Sequence, residues 1–108
     1  MDERQRRMAQ NEALFREVNE RVNDLVTEHG ATSQQYVCEC ANPDCNFYVE
    51  LDGGEYEAVR GDPTLFIVLP LHYTPEVETL DAKHERYWIV RKIGETAEFV
   101  EQHDPRAR

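Results

Sequence analysis

The sequence predicts an α+β protein in which a long N-terminal helix is followed by a small, mainly antiparallel sheet of about four strands with short helices and a zinc knuckle. Three observations support this prediction. A heptad pattern fills the N-terminal quarter of the chain, short β-rich segments separated by turns follow it, and three cysteines crowd into one of those turns. Because 108 residues are about the size of one domain, we expect an amphipathic helix over 1–30 and one zinc-binding α+β domain over 35–103.

The helix is predicted from apolar residues that alternate at spacings of three and four between Glu3 and about His29. The seam consists of Met8, Asn11, Phe15, Val18, Val22 and Leu25. Gly30 then supplies a C-terminal stop. Such a seam suits either packing on the chain's own domain or a short coiled coil with a second copy, and three heptads do not decide between the two.

Beyond the helix, two short β-rich segments flank the cysteines and predict a β-hairpin. They are Tyr36–Cys38 and Phe47–Leu51. Asp52 and Glu55 then stand at the spacing of a capping box, in which each side chain accepts a hydrogen bond from the other residue's backbone amide. A short helix is therefore predicted to follow Asp52 and to end at Gly61.

The second half of the chain alternates between strand and helix signals. The continuous apolar run Thr64–Leu69 predicts a strand that is covered on both faces, and Arg86–Lys92 predicts another strand. Thr74 followed by Pro75 is typical of a helix start, with the threonine as N-cap and the proline in the first turn. A last short helix is predicted over residues 95–102.

Cys38, Cys40 and Cys45 predict a metal site, because three thiolates so close in sequence can reach one tetrahedral Zn²⁺. Alternate side chains of a strand point to the same face, so the sulfur atoms of Cys38 and Cys40 can face one ion. A turn at Pro43 would bring the third sulfur back to the same point. The alternative is three reduced, partly buried thiols without a metal.

A histidine would complete a Cys₃His set, and His72 is the candidate because it follows a predicted strand that can lie beside the hairpin. The alternatives for this position are His84, His29, Asp44 and His103. Thiolate and imidazole ligands suit zinc and also iron. The sequence favours zinc as the cofactor and does not separate it from iron.

The cysteine stretch and the segments around it resemble a group of small, largely uncharacterised actinobacterial proteins. In that group a Cys-Glu-Cys-x₄-Cys hairpin precedes Glu-Tyr-x-x-Val-Arg and Pro-Gly-His, and a helix often comes before it. The resemblance is carried by Asn11–Arg21, Val37–Cys45, Val49–Leu51, Glu55–Arg60, Asp62–Pro63 and Pro70–His72.

The resemblance covers most of the chain and implies a ligand set without implying an activity. That set is Cys38, Cys40, Cys45 and His72. The chain departs from the pattern at Leu71, where the group usually has glycine, and at Tyr73, where an acid is usual. The turn that presents the histidine is therefore expected to differ from that of the group.

Composition limits the partners and the setting of the chain. It has 22 acidic side chains against 12 Lys and Arg, and its formal net charge is -10. Such a surface repels phosphate backbones, which disfavours nucleic-acid binding and favours a basic protein partner.

No apolar run approaches the ~20 residues of a membrane span, and the N-terminus lacks the apolar segment of a signal peptide. An odd number of cysteines suits a reducing compartment, so we expect a cytoplasmic protein.

The function that these patterns favour is a noncatalytic zinc-binding module that acts through protein–protein contacts in regulation, with a homodimer through the N-terminal helix as one arrangement. The alternative is a thiol-based redox sensor whose oxidation releases the metal. The chain has no His-Glu-x-x-His motif, no zinc-deaminase signature and no serine nucleophile elbow. No enzymatic activity and no catalytic residue are therefore predicted.

Overall fold

The computed structural model describes residues 1–29 and 34–107. Three helices and five strands lie in this part of the chain, and a 3₁₀ turn, Pro105–Ala107, follows the last helix. In chain order the elements are α1 Glu3–His29, β1 Gln34–Val37, β2 Tyr48–Leu51, α2 Gly53–Arg60, β3 Leu65–Val68, β4 Glu78–Lys83, β5 Trp88–Lys92 and α3 Gly94–Gln102. The predicted helix stop at Gly30 lies outside the described residues.

The strands form two antiparallel sheets, whereas the sequence predicted about four strands in one sheet. The pair β1–β2 is a hairpin in which Tyr36 lies opposite Val49. The second sheet has the order β3-β5-β4, and Phe66 lies opposite Val90. Beyond the end of β1 the backbone amide of Glu39 donates to the carbonyl of Ile67 at 2.8 Å, which joins the hairpin to β3. The α+β class, the long first helix and the antiparallel pairing are confirmed.

Strand β4 replaces the helix that the sequence predicted to begin at Thr74 and Pro75. The amide of Val77 donates to the carbonyl of Thr74 at 3.1 Å, which closes a single turn, and the chain then becomes extended. Glu78 pairs with Lys92 on β5 and Leu80 pairs with Val90. The helix prediction is wrong because it used a local start signal, whereas a long ladder with β5 satisfies the backbone of these residues.

The predicted capping box is present at the start of α2. The amide of Glu55 donates to Asp52 Oδ1 at 2.7 Å, and the amide of Asp52 donates to Glu55 Oε1 at 2.9 Å. Helix α2 ends at Arg60, with Gly61 as its C-cap. This helix follows the hairpin directly and packs against β3 of the second sheet.

The apolar core lies where the hairpin, α2 and the second sheet meet. The rings of Tyr36 on β1 and Tyr56 on α2 are stacked, with centroids 4.6 Å apart. Phe66 and Val90 are fully buried in the second sheet. Cys38 belongs to the same buried cluster, so the cysteine turn is anchored at the edge of the core.

Helix α1 docks on this core through a polar face. Among the side chains of α1 that the structure describes, the buried ones besides Ala9 are Glu12, Arg16, Asn19 and Asn23. These positions repeat at spacings of four and three, which places them on one side of the helix. The side chain of Val22 packs beside the core, whereas Leu14, Val18 and Leu25 are exposed. The interior of the domain therefore meets α1 through polar contacts.

Candidate metal centre

The structure brings Cys38, Cys40, Cys45 and His72 together, although they come from two separate parts of the chain. Cys38 directly follows β1, the other two cysteines lie in the loop before β2, and His72 lies in the turn after β3. Their candidate ligand atoms all lie within 4.8 Å of one another. His72 Nδ1 is 3.5 Å from Cys38 Sγ and 3.7 Å from Cys45 Sγ.

These separations fit the ligand spacing of a tetrahedral zinc ion. With bonds of about 2.3 Å to sulfur and about 2.0 Å to nitrogen, tetrahedral angles put sulfur and nitrogen atoms about 3.5 Å apart. The two measured distances from His72 Nδ1 match this value within a few tenths of an ångström. Three thiolates and one imidazole are also a common structural zinc set. The donor atoms and these two distances are therefore compatible with a tetrahedral metal ion such as zinc.

The loop between Cys40 and Cys45 is folded by its asparagine. Asn42 Oδ1 accepts a hydrogen bond from the amide of Asp44 at 2.9 Å, and the carbonyl of Asn42 accepts one from the amide of Cys45 at 3.1 Å. An asparagine side chain that bonds the backbone two residues onward is typical of tight turns. The oxygens of Asn42 therefore return Cys45 toward the two earlier cysteines, and Asn11 of α1 also holds the loop by donating to the carbonyl of Cys40 at 3.3 Å.

Backbone amides favour the charged form of the sulfur atoms. Leu69 donates a hydrogen bond to Cys38 Sγ at 3.2 Å. The backbone groups of Asn42 and Phe47 favour the thiolate forms of Cys40 and Cys45. Amide donors stabilise a thiolate because they point positive charge at the sulfur. The backbone is thus arranged for sulfur atoms in the charged form that metals bind.

The turn that presents His72 has an unusual backbone conformation. The amide of His72 donates to the carbonyl of Leu69 at 3.0 Å, and Leu71 has a φ of 73°. Proline followed by a residue of positive φ is the pattern of a type II turn, in which glycine is strongly preferred at the second central position. Leu71 is 82% exposed and so offsets little of this strain by packing. The departure from the Pro-Gly-His pattern falls on the one residue of this turn whose φ favours glycine.

The thiols influence one another's ionisation. The hydrogen bond from the Cys38 thiol lowers the pKa of Cys40 to about 5, whereas the same bond and burial raise the pKa of Cys38. Burial also raises the pKa of Cys45. One thiolate therefore forms readily, and the remaining two protons are expected to leave when a metal binds.

The alternative fourth ligands lie elsewhere. His84 stacks on Tyr87 with ring centroids 4.7 Å apart, and His103 stacks on Phe99 at 4.0 Å. Asp44 is exposed and does not belong to the cluster, and the side chain of His29 is outside the described part. Among the residues that the structure describes, the Cys₃His cluster is the one group with metal-ligand spacing.

Glu39 lies between two of the cysteines in sequence, but its carboxylate belongs to the interior of the domain. Its side chain is fully buried. Its oxygens accept hydrogen bonds from Asn19 Nδ2 at 2.9 Å and from the amide of Ile67 at 3.0 Å. Burial raises its pKa, and these two donors partly counteract that shift. The carboxylate joins α1 to both sheets, and it is not placed to act as a base beside the cysteines.

A second polar cluster, which the sequence did not reveal, lies between α1 and the sheets. The buried ammonium of Lys92 forms ion pairs with Glu12 and Glu78. Arg16 lies over the ring of Phe66, 3.5 Å from its centroid, and donates to backbone carbonyls at the start of β3. We call Glu12, Arg16, Glu78 and Lys92 the buried ionic layer. A polar stripe on a helix normally indicates a face in contact with solvent. The polar residues of α1 therefore point to solvent in the sequence, although they are buried in the structure.

No helix among the described residues has the length and apolar content needed to cross a membrane. Comparison of the chain with protein-family models, with curated proteins and with solved structures found no match. The assignment of a function therefore depends on the geometry of the Cys₃His cluster.

Proposed function

We propose that this chain is a noncatalytic zinc-binding module that acts through protein–protein contacts in regulation, in the cytoplasm. The observation that carries the proposal is the convergence of four ligand atoms within 4.8 Å. Four protein ligands complete a tetrahedral shell and leave no position for a reactive water molecule, which is the pattern of structural zinc. The net charge of -10 favours a basic partner surface.

The role of the metal in this proposal is to fasten the hairpin to the second sheet. Cys38 and Cys45 belong to the hairpin and its loop, whereas His72 follows β3. One backbone bond that already joins these parts is the 2.8 Å contact from Glu39 to Ile67. A structural metal that joins two segments contributes its binding free energy to folding. We therefore expect a strong dependence of stability on the metal.

Native mass spectrometry of protein purified without added metal tests this function. The wild type is expected to carry one zinc ion per chain, and His72→Ala is expected to lose it or to hold it much more weakly. His84→Ala is the matched control, because it removes an exposed imidazole that stacks on Tyr87 away from the cluster. A folded wild type without metal would contradict the proposal, and bound iron would correct the identity of the ion.

A thiol-based redox sensor is the second candidate. Cys45 is only partly buried, and a surface pocket of about 250 Å³ is lined by Cys40 and His72 among others, so a small oxidant can approach the sulfur atoms. One molecule of hydrogen peroxide would oxidise two thiols to a disulfide and be reduced to two molecules of water. Rapid zinc release at equimolar peroxide would support this candidate, and retention of the ion would reject it.

A further inference from the structure

The outer face of α1 carries an apolar stripe that the domain does not cover. Leu14 and Leu25 are each 56% exposed, and Val18 is 39% exposed. At about 100° per residue, these three positions share one side of the helix, opposite the buried face that contains Arg16 and Asn19. The helix is thus covered by its own domain on its polar side and exposes large apolar side chains on the other.

A groove of about 440 Å³ lies beside this stripe, between the N-terminal half of α1 and the cysteine loop. Its apolar lining comes from Met8 and Leu14 on the helix and from Ala41 and Pro43 on the loop. Arg4 and Arg7 lie at its rim. The groove can therefore accept an apolar side chain that has acidic neighbours.

Charge is distributed unevenly along the same helix. Its first turns carry Glu3, Arg4, Arg6 and Arg7, an excess of positive charge, whereas its last turns carry Arg21, Asp24 and Glu28, an excess of negative charge, and all these side chains are exposed. A second α1 in the parallel direction would bring like charges together at both ends. A second α1 in the antiparallel direction would bring the basic end of each helix to the acidic end of the other.

We propose that a second copy of this chain occupies the exposed face of α1 and that the two helices run antiparallel. A two-fold axis that passes midway between Leu14 and Val18 places Leu14 of each helix opposite Val18 of the other. The same axis places Leu25 of each helix beside Arg7 of the other, where the apolar groove begins. The 27 residues of α1 give a contact length of about 40 Å, and a two-fold axis buries both stripes at once.

The pairing also depends on the cysteine loop, and this part of the inference rests on the proposed function. Ala41 and Pro43 form one wall of the groove and lie between Cys40 and Cys45 in sequence. A metal held by the cysteines fixes that wall. Removal of the metal is therefore expected to weaken the dimer by several-fold or more, since the pocket for Leu25 loses its shape.

Sedimentation velocity over a concentration series tests the apolar contact. The wild type is expected to be a dimer, and Leu25→Lys is expected to weaken the dimer by about tenfold or more because it places a positive charge in the groove beside Arg7. Tyr48→Lys is the matched control, since it introduces the same charge at another exposed, large side chain. A wild type that remains monomeric over the whole series would overturn the proposal.

Charge reversal tests the direction of the helices. The pair Arg6→Glu and Arg7→Glu should weaken the dimer, and the pair Asp24→Lys and Glu28→Lys should also weaken it. All four changes in one chain should restore it, because the basic and acidic ends have then exchanged places. If neither pair changes the dissociation constant, the antiparallel arrangement is rejected.

Native mass spectra recorded on the same samples separate this proposal from the proposed function. A dimer without zinc would support the pairing of α1 and contradict the metal function, whereas a zinc-loaded monomer would do the reverse. A dimer whose dissociation constant is unchanged by a zinc chelator would overturn the link between the metal and the groove.

Discussion

The metal centre and the buried ionic layer are both clusters of polar side chains inside a small domain, but they are built in different ways. The three cysteines of the metal centre lie between positions 38 and 45, and only His72 comes from elsewhere. The buried ionic layer takes Glu12 from α1, Glu78 from β4 and Lys92 from β5. A cluster whose residues lie close together in the sequence can therefore be recognised from the sequence. A cluster assembled from distant elements cannot.

The two clusters also differ in how their charge is balanced. Three thiolates and a neutral imidazole carry three negative charges, and a divalent cation offsets two of them. In the buried ionic layer two carboxylates face one ammonium group, and burial raises the pKa of Glu78 and lowers that of Lys92. The metal centre is therefore expected to depend on an external ion, whereas the buried ionic layer depends on its own residues.

The largest expected effect is that of metal removal. A high-affinity zinc chelator, or Cys38→Ser, should unfold the hairpin and lower the free energy of unfolding by about 5 kcal/mol or more, because structural zinc supplies folding energy directly. Circular dichroism during thermal melting measures this change. Asn46→Ser, an exposed change in the same loop, is the control and should leave the melting temperature nearly unchanged. Equal melting curves with and without chelator would show that the metal does not stabilise the fold.

Lys92→Met should produce the next largest effect, because it removes the ammonium group that pairs directly with the buried carboxylates of Glu12 and Glu78. Breaking a buried ion pair from one side costs about 3–5 kcal/mol. Urea denaturation measures the loss. The control is Lys83→Met, which removes an exposed ammonium that lies over Trp88 at 4.8 Å from its ring centroid. Similar losses in the two variants would contradict a special role for the buried ionic layer.

Leu71→Gly should stabilise the protein by about 1 kcal/mol, since glycine tolerates the positive φ at this position and little packing is lost. The variant Leu71→Ala also removes the exposed side chain but keeps the strained Cβ, and it should not stabilise. Thermal melting of the zinc-loaded forms compares the two. Stabilisation by alanine as large as that by glycine would show that the exposed apolar surface, rather than the backbone, limits this turn.

The smallest expected effect concerns the half-buried ion pair of Asp62 and Arg91, which serves as a reference for the fully buried ion pairs of Lys92. The amide of Thr64 and the guanidinium of Arg91 lower the pKa of Asp62 to about 2. A lowered pKa in the folded state stabilises above the ordinary value of about 4, and this contribution is lost as the pH falls toward 2. Solvent screening keeps it below about 1 kcal/mol.

The measurement for this pair is a pH series of urea unfolding. Between pH 4 and pH 2, the wild type should lose slightly more stability than Asp62→Asn. If Asp62→Asn loses as much stability as the wild type between pH 4 and pH 2, Asp62 does not contribute to the acid sensitivity of the fold.

Much of the local structure could be predicted because its causes are local. The hairpin around the cysteines, the capping box of Asp52 and Glu55, and the apolar strand that became β3 all follow from neighbouring residues. The cysteine cluster is largely local for the same reason, since Asn42 bends the loop by accepting hydrogen bonds at its side-chain and backbone oxygens. His72 was a candidate from sequence, and its position in space depends on the tertiary structure.

The sequence by itself determined the α+β class, the long first helix and the crowding of the thiols. The tertiary structure decided that β4 pairs with β5 where a helix start stands in the sequence, that the strands divide into two sheets, and that α1 buries its polar side. Periodic patterns identify the two sides of a helix, but they cannot show whether a charged side meets water or an opposite charge. The ion pairs of Lys92 with Glu12 and Glu78 exist only after distant elements come together. They turn the polar side of α1 toward the domain.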